Sequence, residues 1–128
     1  MTQCVSMVIY WSVVIMAKFN HTAHKELWDW LTKNPDRDTQ DWPRWRKNGG
    51  EYQASWHCFA CEYDEEEGDE EGDMYQCESC PLEWPQGKLC CNDNGIHKQW
   101  NRAIYLEERT RLAEMIRDLP VREGVECI

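Results

Sequence analysis

WHCFACEYDEEEGDEEGDMYQCESCPLEWPQGKLCC, residues 56–91, decides how this chain is read. Cys58 and Cys61 form one C-x2-C pair, Cys77 and Cys80 form a second, and fifteen residues lie between the pairs. Two cysteines separated by two residues make a tight knuckle, so both thiolates can point at one ion. Two such knuckles close a tetrahedral four-sulfur site, and the interval suits zinc. The spacing predicts a metal centre on Cys58, Cys61, Cys77 and Cys80. It names no activity. Two disulfides are the competing reading, although C-x2-C pairs are poorly shaped for structural bridges. Iron is the competing metal, since sulfur tetrahedra also suit it.

His57 directly precedes the first knuckle, and Cys90 and Cys91 follow the second by ten residues. Any of the three could complete the ligand set or support it from behind. Adjacent residues in extended chain point oppositely, so at most one of Cys90 and Cys91 faces the ion. A cysteine not used as ligand behaves as a small buried hydrophobe. Cys4 and Cys127 have no such spacing and receive no role.

Cys58-Phe-Ala-Cys61-Glu-Tyr-Asp, followed by acidic residues, resembles the first half of a rubredoxin, which would imply iron and electron transfer. Rubredoxins carry glycine directly after each knuckle, where backbone N–H groups approach the sulfurs. This chain has Glu62 and Pro81 there. Structural zinc is the preferred reading, and electron transfer is kept as an alternative.

The chain has 128 residues, enough for one domain, and carries a net charge of −10. Nine of its 24 acids lie in residues 62–73 without a single base, leaving fifteen acids against fourteen bases elsewhere. The acidity is therefore local, strung between the knuckles. Like charges at that density repel, which predicts a solvated, mobile loop over 62–73. Asp64, Glu65, Glu66, Glu67, Asp69, Glu70, Glu71 and Asp73 are also the candidate contacts for a basic, nucleic-acid-binding partner protein, by mimicry of phosphate. A D-x-D-x-D-G calcium register is absent.

Upstream, residues 1–17 are uncharged and apolar from Cys4 to Ala17 apart from two serines. A signal peptide needs a basic start that Met1-Thr-Gln lacks. The run is at the short limit for a membrane span, and its β-branched residues would also suit a buried strand. Met16-Ala-Lys-Phe-Asn reads as a natural start, which would make the leader a mis-assigned beginning.

The helix expected at 22–33 has Asn20 or Thr22 as its cap, Leu27, Trp28, Trp30 and Leu31 as its apolar face, and Asn34-Pro35 as its stop. His21 and His24 stand three apart on it but have no third ligand nearby. In the turn-rich connector 36–50, Trp42 and Trp45 alternate with Arg44, Arg46 and Lys47. Aromatics interleaved with bases can stack on and neutralise nucleic acid, so these five are the candidate nucleic-acid contacts. The bland alternative makes the tryptophans core anchors.

After the turn Asn94-Gly95, one long helix is expected at 96–119, with Ile96, Trp100, Ile104, Leu112, Met115, Ile116 and Leu119 on its apolar face. Glu107 and Glu108 stand four and three residues before Arg111 and should pair with it. The expected fold is a small, helix-rich α+β domain over 18–128. A zinc-ribbon-like module with two knuckles at 56–93 is flanked by a tryptophan-rich helical part at 18–55 and a C-terminal helix within 94–120.

Catalytic patterns are missing. A zinc deaminase needs H-x-E before P-C-x-x-C, and here the proline follows the knuckle as Cys80-Pro81. An HNH-type nuclease, which also uses paired knuckles, needs an Asp-His dipeptide and a later histidine; only His57 and His97 are near. No H-E-x-x-H, P-loop or nucleophile elbow occurs. A closed four-cysteine site leaves no open coordination position. The expectation is a protein that is not an enzyme, with an HNH-like nuclease as the remaining catalytic alternative.

Met16-Ala-Lys-Phe-Asn-His, Trp28-Asp-Trp-Leu31 with Asn34-Pro35, and Cys58-Phe-Ala-Cys61 leading to Cys77-Glu-Ser-Cys80-Pro-Leu-Glu-Trp84 resemble a group of small, cysteine-rich phage and prophage proteins. The resemblance spans about residues 16–105, with the second knuckle and its Pro-Leu-x-Trp as the most specific piece. It implies a zinc-binding, phage-encoded accessory protein acting in the cytoplasm of a bacterial host. Its partner would be a host or phage protein, with nucleic acid as the alternative and no membrane.

Overall fold

The computed structural model describes residues 18–67, 80–85 and 95–128. Among these residues are four α-helices: α1 (His21–Lys33), α2 (Phe59–Glu67), α3 (Ile96–Arg102) and α4 (Leu106–Arg117). Three short 3-10 turns, Thr39–Asp41, Arg46–Asn48 and Ser55–His57, lie between α1 and α2. The leader 1–17 lies outside the described residues.

α1 forms where its signals place it. The Asn20 side chain accepts a hydrogen bond from the Ala23 N–H at 3.0 Å, capping the first turn. Ala23, Leu27, Trp28 and Leu31 line one buried face. At the end, the Asn34 side chain donates to the Trp30 carbonyl at 2.9 Å, and Pro35 offers no N–H to continue. α1 packs chiefly on α4, through Leu112, Ala113 and Ile116. Arg117 bonds Asp29 across that pair at 3.0 Å.

The expected α+β fold with a zinc ribbon is not what the structure shows. Among the described residues there is no strand, only three isolated bridges: Phe19 with Cys127, Trp45 with Tyr52, and Leu82 with Val121. A ribbon seats its knuckle on a β-hairpin. Here the first knuckle opens a helix instead. Residues 58–67 (CFACEYDEEE) contain no β-branched side chain, and Phe59, Ala60 and Tyr63 fall on one buried side at helical spacing. Residues 62–67 of the expected acidic loop are therefore helical; 68–73 lie outside the described residues.

The single helix expected at 96–119 is also two. Ala103 and Tyr105 are extended, with ψ of 126° and 132°. Arg109 explains the break. Its guanidinium lies 4.1 Å from the Trp100 ring centre, and its side chain donates to the carbonyls of Trp100 and Pro35 at 3.3 and 3.0 Å. α4 thus folds back on α3. Ile104, assigned to the apolar face, is 82 % exposed, and Met115 is exposed as well. Of the two expected partners of Arg111, Glu108 makes the ion pair, at 2.5 Å.

The C-terminal segment ties the pieces together. Glu83 N–H donates to Pro120 O and Arg122 N–H to Pro81 O, each at 2.8 Å. Farther along, Phe19 N–H donates to Glu126 O at 2.9 Å and Ile128 N–H to Phe19 O at 3.1 Å. Residues 80–83 and the chain before α1 are therefore fastened to one strip. In the connector, Gly50 sits so close to the Arg44 backbone that any Cβ would overlap it.

His24 is buried, at 2 % exposure, and its Nε2 is 3.1 Å from the Ile116 carbonyl, so that nitrogen carries the proton and the ring is neutral. Burial holds its pKa down to about 3, and burial holds His97 down to about 4. Unfolding would return both to the ordinary value of 6.5. Below pH 6.5 the unfolded chain gains protons that the folded chain refuses, so stability falls as pH drops. Each group costs about 1.4 kcal/mol per pH unit, down to about pH 4 for His97 and lower for His24. The urea midpoint should decline steadily from pH 6.5 to 4, and His24→Gln should make that decline shallower.

Candidate metal centre

Phe59, between the two cysteines of the first knuckle, holds the site in place. Its ring stacks on Trp45 at 5.1 Å and meets Trp42 and Tyr52 edge-on at 6.0 and 5.6 Å. Trp42 and Trp45 in turn meet at 5.1 Å. This aromatic cage fixes where α2 begins, and hence where Cys58 and Cys61 stand.

The two cysteines are paired sulfur to sulfur, with Cα atoms 5.2 Å apart. The Cys61 N–H points back at the Cys58 sulfur at 3.1 Å. Reduced, the same backbone aims two thiolates at one point, one of them stabilised by an amide donor. That geometry fits half of a tetrahedral sulfur site.

Cys80 is 3 % exposed. Its sulfur accepts the indole N–H of Trp84 at 3.3 Å, and its carbonyl accepts from the Arg122 guanidinium at 2.9 Å. A buried indole N–H needs a partner, and a neutral thiol is a weak acceptor. A thiolate accepts well but requires a compensating cation when buried. This surrounding fits a metal-bound sulfur. Among the described residues, however, no three His, Cys, Asp or Glu side chains are gathered to hold an ion. Cys58 and Cys61 are brought together; Cys80 does not join them as a third. Cys77, Cys90 and Cys91 lie outside the described residues.

His57 turns inward, its ring 5.3 Å from that of Trp45, and burial followed by the Lys47 charge lowers its pKa. Its neighbour Trp56 turns outward and is 67 % exposed. Both residues have left-handed backbone, φ 53° and 60°.

On α2, Glu65 and Glu66 are exposed and Asp64 is half-buried. Burial, then repulsion from Glu66 and Glu65, raises the pKa of Glu62. The side chain of Glu67 and all of Asp69, Glu70, Glu71 and Asp73 lie outside the described residues. His97 packs between Trp28 and Trp100, at 5.7 and 5.8 Å, and is part of the interior.

The five residues expected to contact nucleic acid do not form one surface. Trp42 and Trp45 are buried and offer no face for stacking. Arg44 is held between Glu26 and Glu51, with its guanidinium 4.7 Å from the Tyr52 ring centre. Arg46 and Lys47 alone remain outward. A sequence shows that tryptophans alternate with bases, not which of them the core takes. Sequence reasoning also misses Arg122 and the role of Trp84. Arg122 carries no local signal, whereas Trp84 stands in view, four residues after Cys80.

No family model, curated protein or solved structure matches the chain. No helix among the described residues is long and apolar enough to cross a membrane.

Trp84→Phe keeps the packing ring and deletes the N–H. Loss of a hydrogen bond to a metal ligand typically costs about 10–100-fold in affinity. Were zinc held on Cys80, the variant should still fold and bind it, with affinity at least about 10-fold lower in competition with a chromogenic chelator.

Proposed function

We propose that the chain is a non-catalytic, metal-stabilised accessory protein of the kind phages encode, acting in a bacterial cytoplasm by binding a macromolecular partner. Zinc would be held by Cys58, Cys61, Cys77 and Cys80. The observation that carries this reading is the Cys58–Cys61 knuckle, with its amide donor and its aromatic anchor. The buried, N–H-donated sulfur of Cys80 supports it. The metal would supply folding energy rather than chemistry, since a four-thiolate site leaves no position for substrate.

A basic partner protein suits the acidic stretch best. Glu65 and Glu66 project from the last turns of α2, and the acidic run continues in sequence through Asp73. Such a field attracts a cationic groove of the type that binds nucleic acid. Inhibition of a host nucleic-acid-binding protein is the corresponding activity. The opposing reading of the knuckle is a disulfide between Cys58 and Cys61, for which the paired sulfurs speak directly.

Metal analysis of protein purified under reducing conditions separates the two. One zinc per chain is expected, and Cys58→Ser or Cys77→Ser should lose the metal and the cooperative melt together. A chain that melts cooperatively with no metal bound would sink the zinc reading. Partner binding is tested by changing every acid from Asp64 to Asp73 to its amide, which keeps the length and the helix-forming pattern. Zinc content should be unchanged, and capture of a basic protein from bacterial lysate should be lost. Undiminished capture would make the acidic stretch a solvated connector only.

A further inference from the structure

The first knuckle is held from behind and open in front. In Cys58-Phe59-Ala60-Cys61 the two inner residues are 6 % and 5 % exposed, whereas both cysteines are only half-buried. Phe59 is fixed among Trp42, Trp45 and Tyr52. The Glu62 N–H donates to the Cys58 carbonyl at 3.0 Å, so helical backbone is already formed across the pair. The core thus sets the backbone while each cysteine keeps part of its surface in solvent. Their sulfurs are joined, and the Cα separation of 5.2 Å lies within the range that a disulfide requires.

Cys80 is the contrast. It is 3 % exposed, and its sulfur is covered by the indole N–H of Trp84 at 3.3 Å. A small thiol or disulfide in solution can reach Cys58 and Cys61 without opening the fold, but it cannot reach Cys80.

From this arrangement we propose that Cys58 and Cys61 form a thiol–disulfide exchange site, open to disulfides of low-molecular-weight thiols. Cys58 attacks and Cys61 resolves. The Cys61 N–H lies 3.1 Å from the Cys58 sulfur and favours negative charge there. The Cys58 thiolate displaces one sulfur of the small disulfide, so a mixed disulfide forms at Cys58 and one small thiol leaves. The Cys61 thiolate then attacks the Cys58 sulfur, the Cys58–Cys61 bond closes, and the second small thiol leaves. Two electrons pass from the cysteine pair to the small disulfide, and the two protons that the cysteines lose end on the two small thiols. Excess small thiol drives the same steps backwards. Closure withdraws two of the four sulfurs named for zinc, so exchange and metal binding exclude each other. That consequence rests on the zinc reading; the exchange itself rests on the Cys58–Cys61 geometry alone.

The test is treatment of the reduced full chain with glutathione disulfide, quenched with acid at intervals, alkylated and mapped by peptide mass. Near-UV circular dichroism and zinc content are followed on the same samples. Cys77 and Cys80 supply an internal control, because their spacing is the same. Preformed backbone at Phe59 and Ala60 spares an ordering cost worth about 10-fold per residue. In the native chain the glutathione adduct should appear first at Cys58 and give way to Cys58–Cys61, at least about 10-fold faster than Cys77–Cys80 closes. In urea the two pairs should close at similar rates. The near-UV signal should survive closure, and excess glutathione should restore both thiols. First adducts at other cysteines, an adduct that persists at Cys58 without closing, or native closure no more selective than closure in urea overturns the proposal. Zinc that leaves in step with closure supports both readings. Zinc that stays bound after closure overturns Cys58 and Cys61 as its ligands and leaves the exchange standing. Absence of zinc from the parent counts against the metal reading alone, since the peptide map judges the exchange by itself.

Discussion

Burial of Phe59 among Trp42, Trp45 and Tyr52 is the constraint on which the rest depends. A residue between two cysteines would ordinarily be free to vary, since a knuckle needs only its backbone turn. Here it is an anchor, and its cage is built from a connector with almost no regular structure. Three short turns and one bridge place those rings. The connector is ordered because large aromatic areas are withdrawn from water together, which offsets the entropy of fixing so irregular a backbone. Position of the knuckle and integrity of the core are therefore a single thermodynamic unit.

The second half of the cysteine set is secured differently. Cys80, Pro81 and Leu82 are buried, and their backbone is fastened to the C-terminal strip through Pro120, Val121 and Arg122. The same strip continues to Phe19, whose ring meets Tyr63 on α2 at 6.2 Å. Cys80 and the first knuckle are thus connected through the C-terminal strip as well as through the acidic stretch. A metal shared by the knuckles would close a loop that the backbone already half closes, and pre-closure of this kind lowers the entropy cost of assembling a site.

α1 is legible in the sequence almost to the residue, because its cap, its apolar stripe and Pro35 are all local. The features that escape such a reading are decided by contacts between distant residues. The break between α3 and α4 comes from Arg109 reaching Trp100 and Pro35, and nothing in 96–119 taken alone signals it. The ribbon expectation fails for a different reason. C-x2-C spacing states how two sulfurs meet, but the backbone that carries them is set by the residues around and after them, and CFACEYDEEE favours helix. Tryptophan is the least legible residue of all. Trp42, Trp45 and Trp56 sit in similar sequence surroundings, each beside polar residues, yet two are core and one is surface. The difference is the left-handed turn at 56–57, and no residue type announces it.

Charge is settled just as locally. Five of the eight arginines in the described residues are paired where they stand: Arg37 with Asp36, Arg44 with Glu26 and Glu51, Arg109 with Asp38, Arg111 with Glu108, and Arg117 with Asp29 and Asp118. Exposed pairs of this sort contribute little to stability. Their larger effect is to cancel the field, so that the charges left over are the ones a partner meets. They include Glu65 and Glu66 toward the end of α2 and the exposed cations Arg46 and Lys47. At physiological salt each of these fields reaches only about 8 Å, so surfaces of opposite sign on one small domain can act separately.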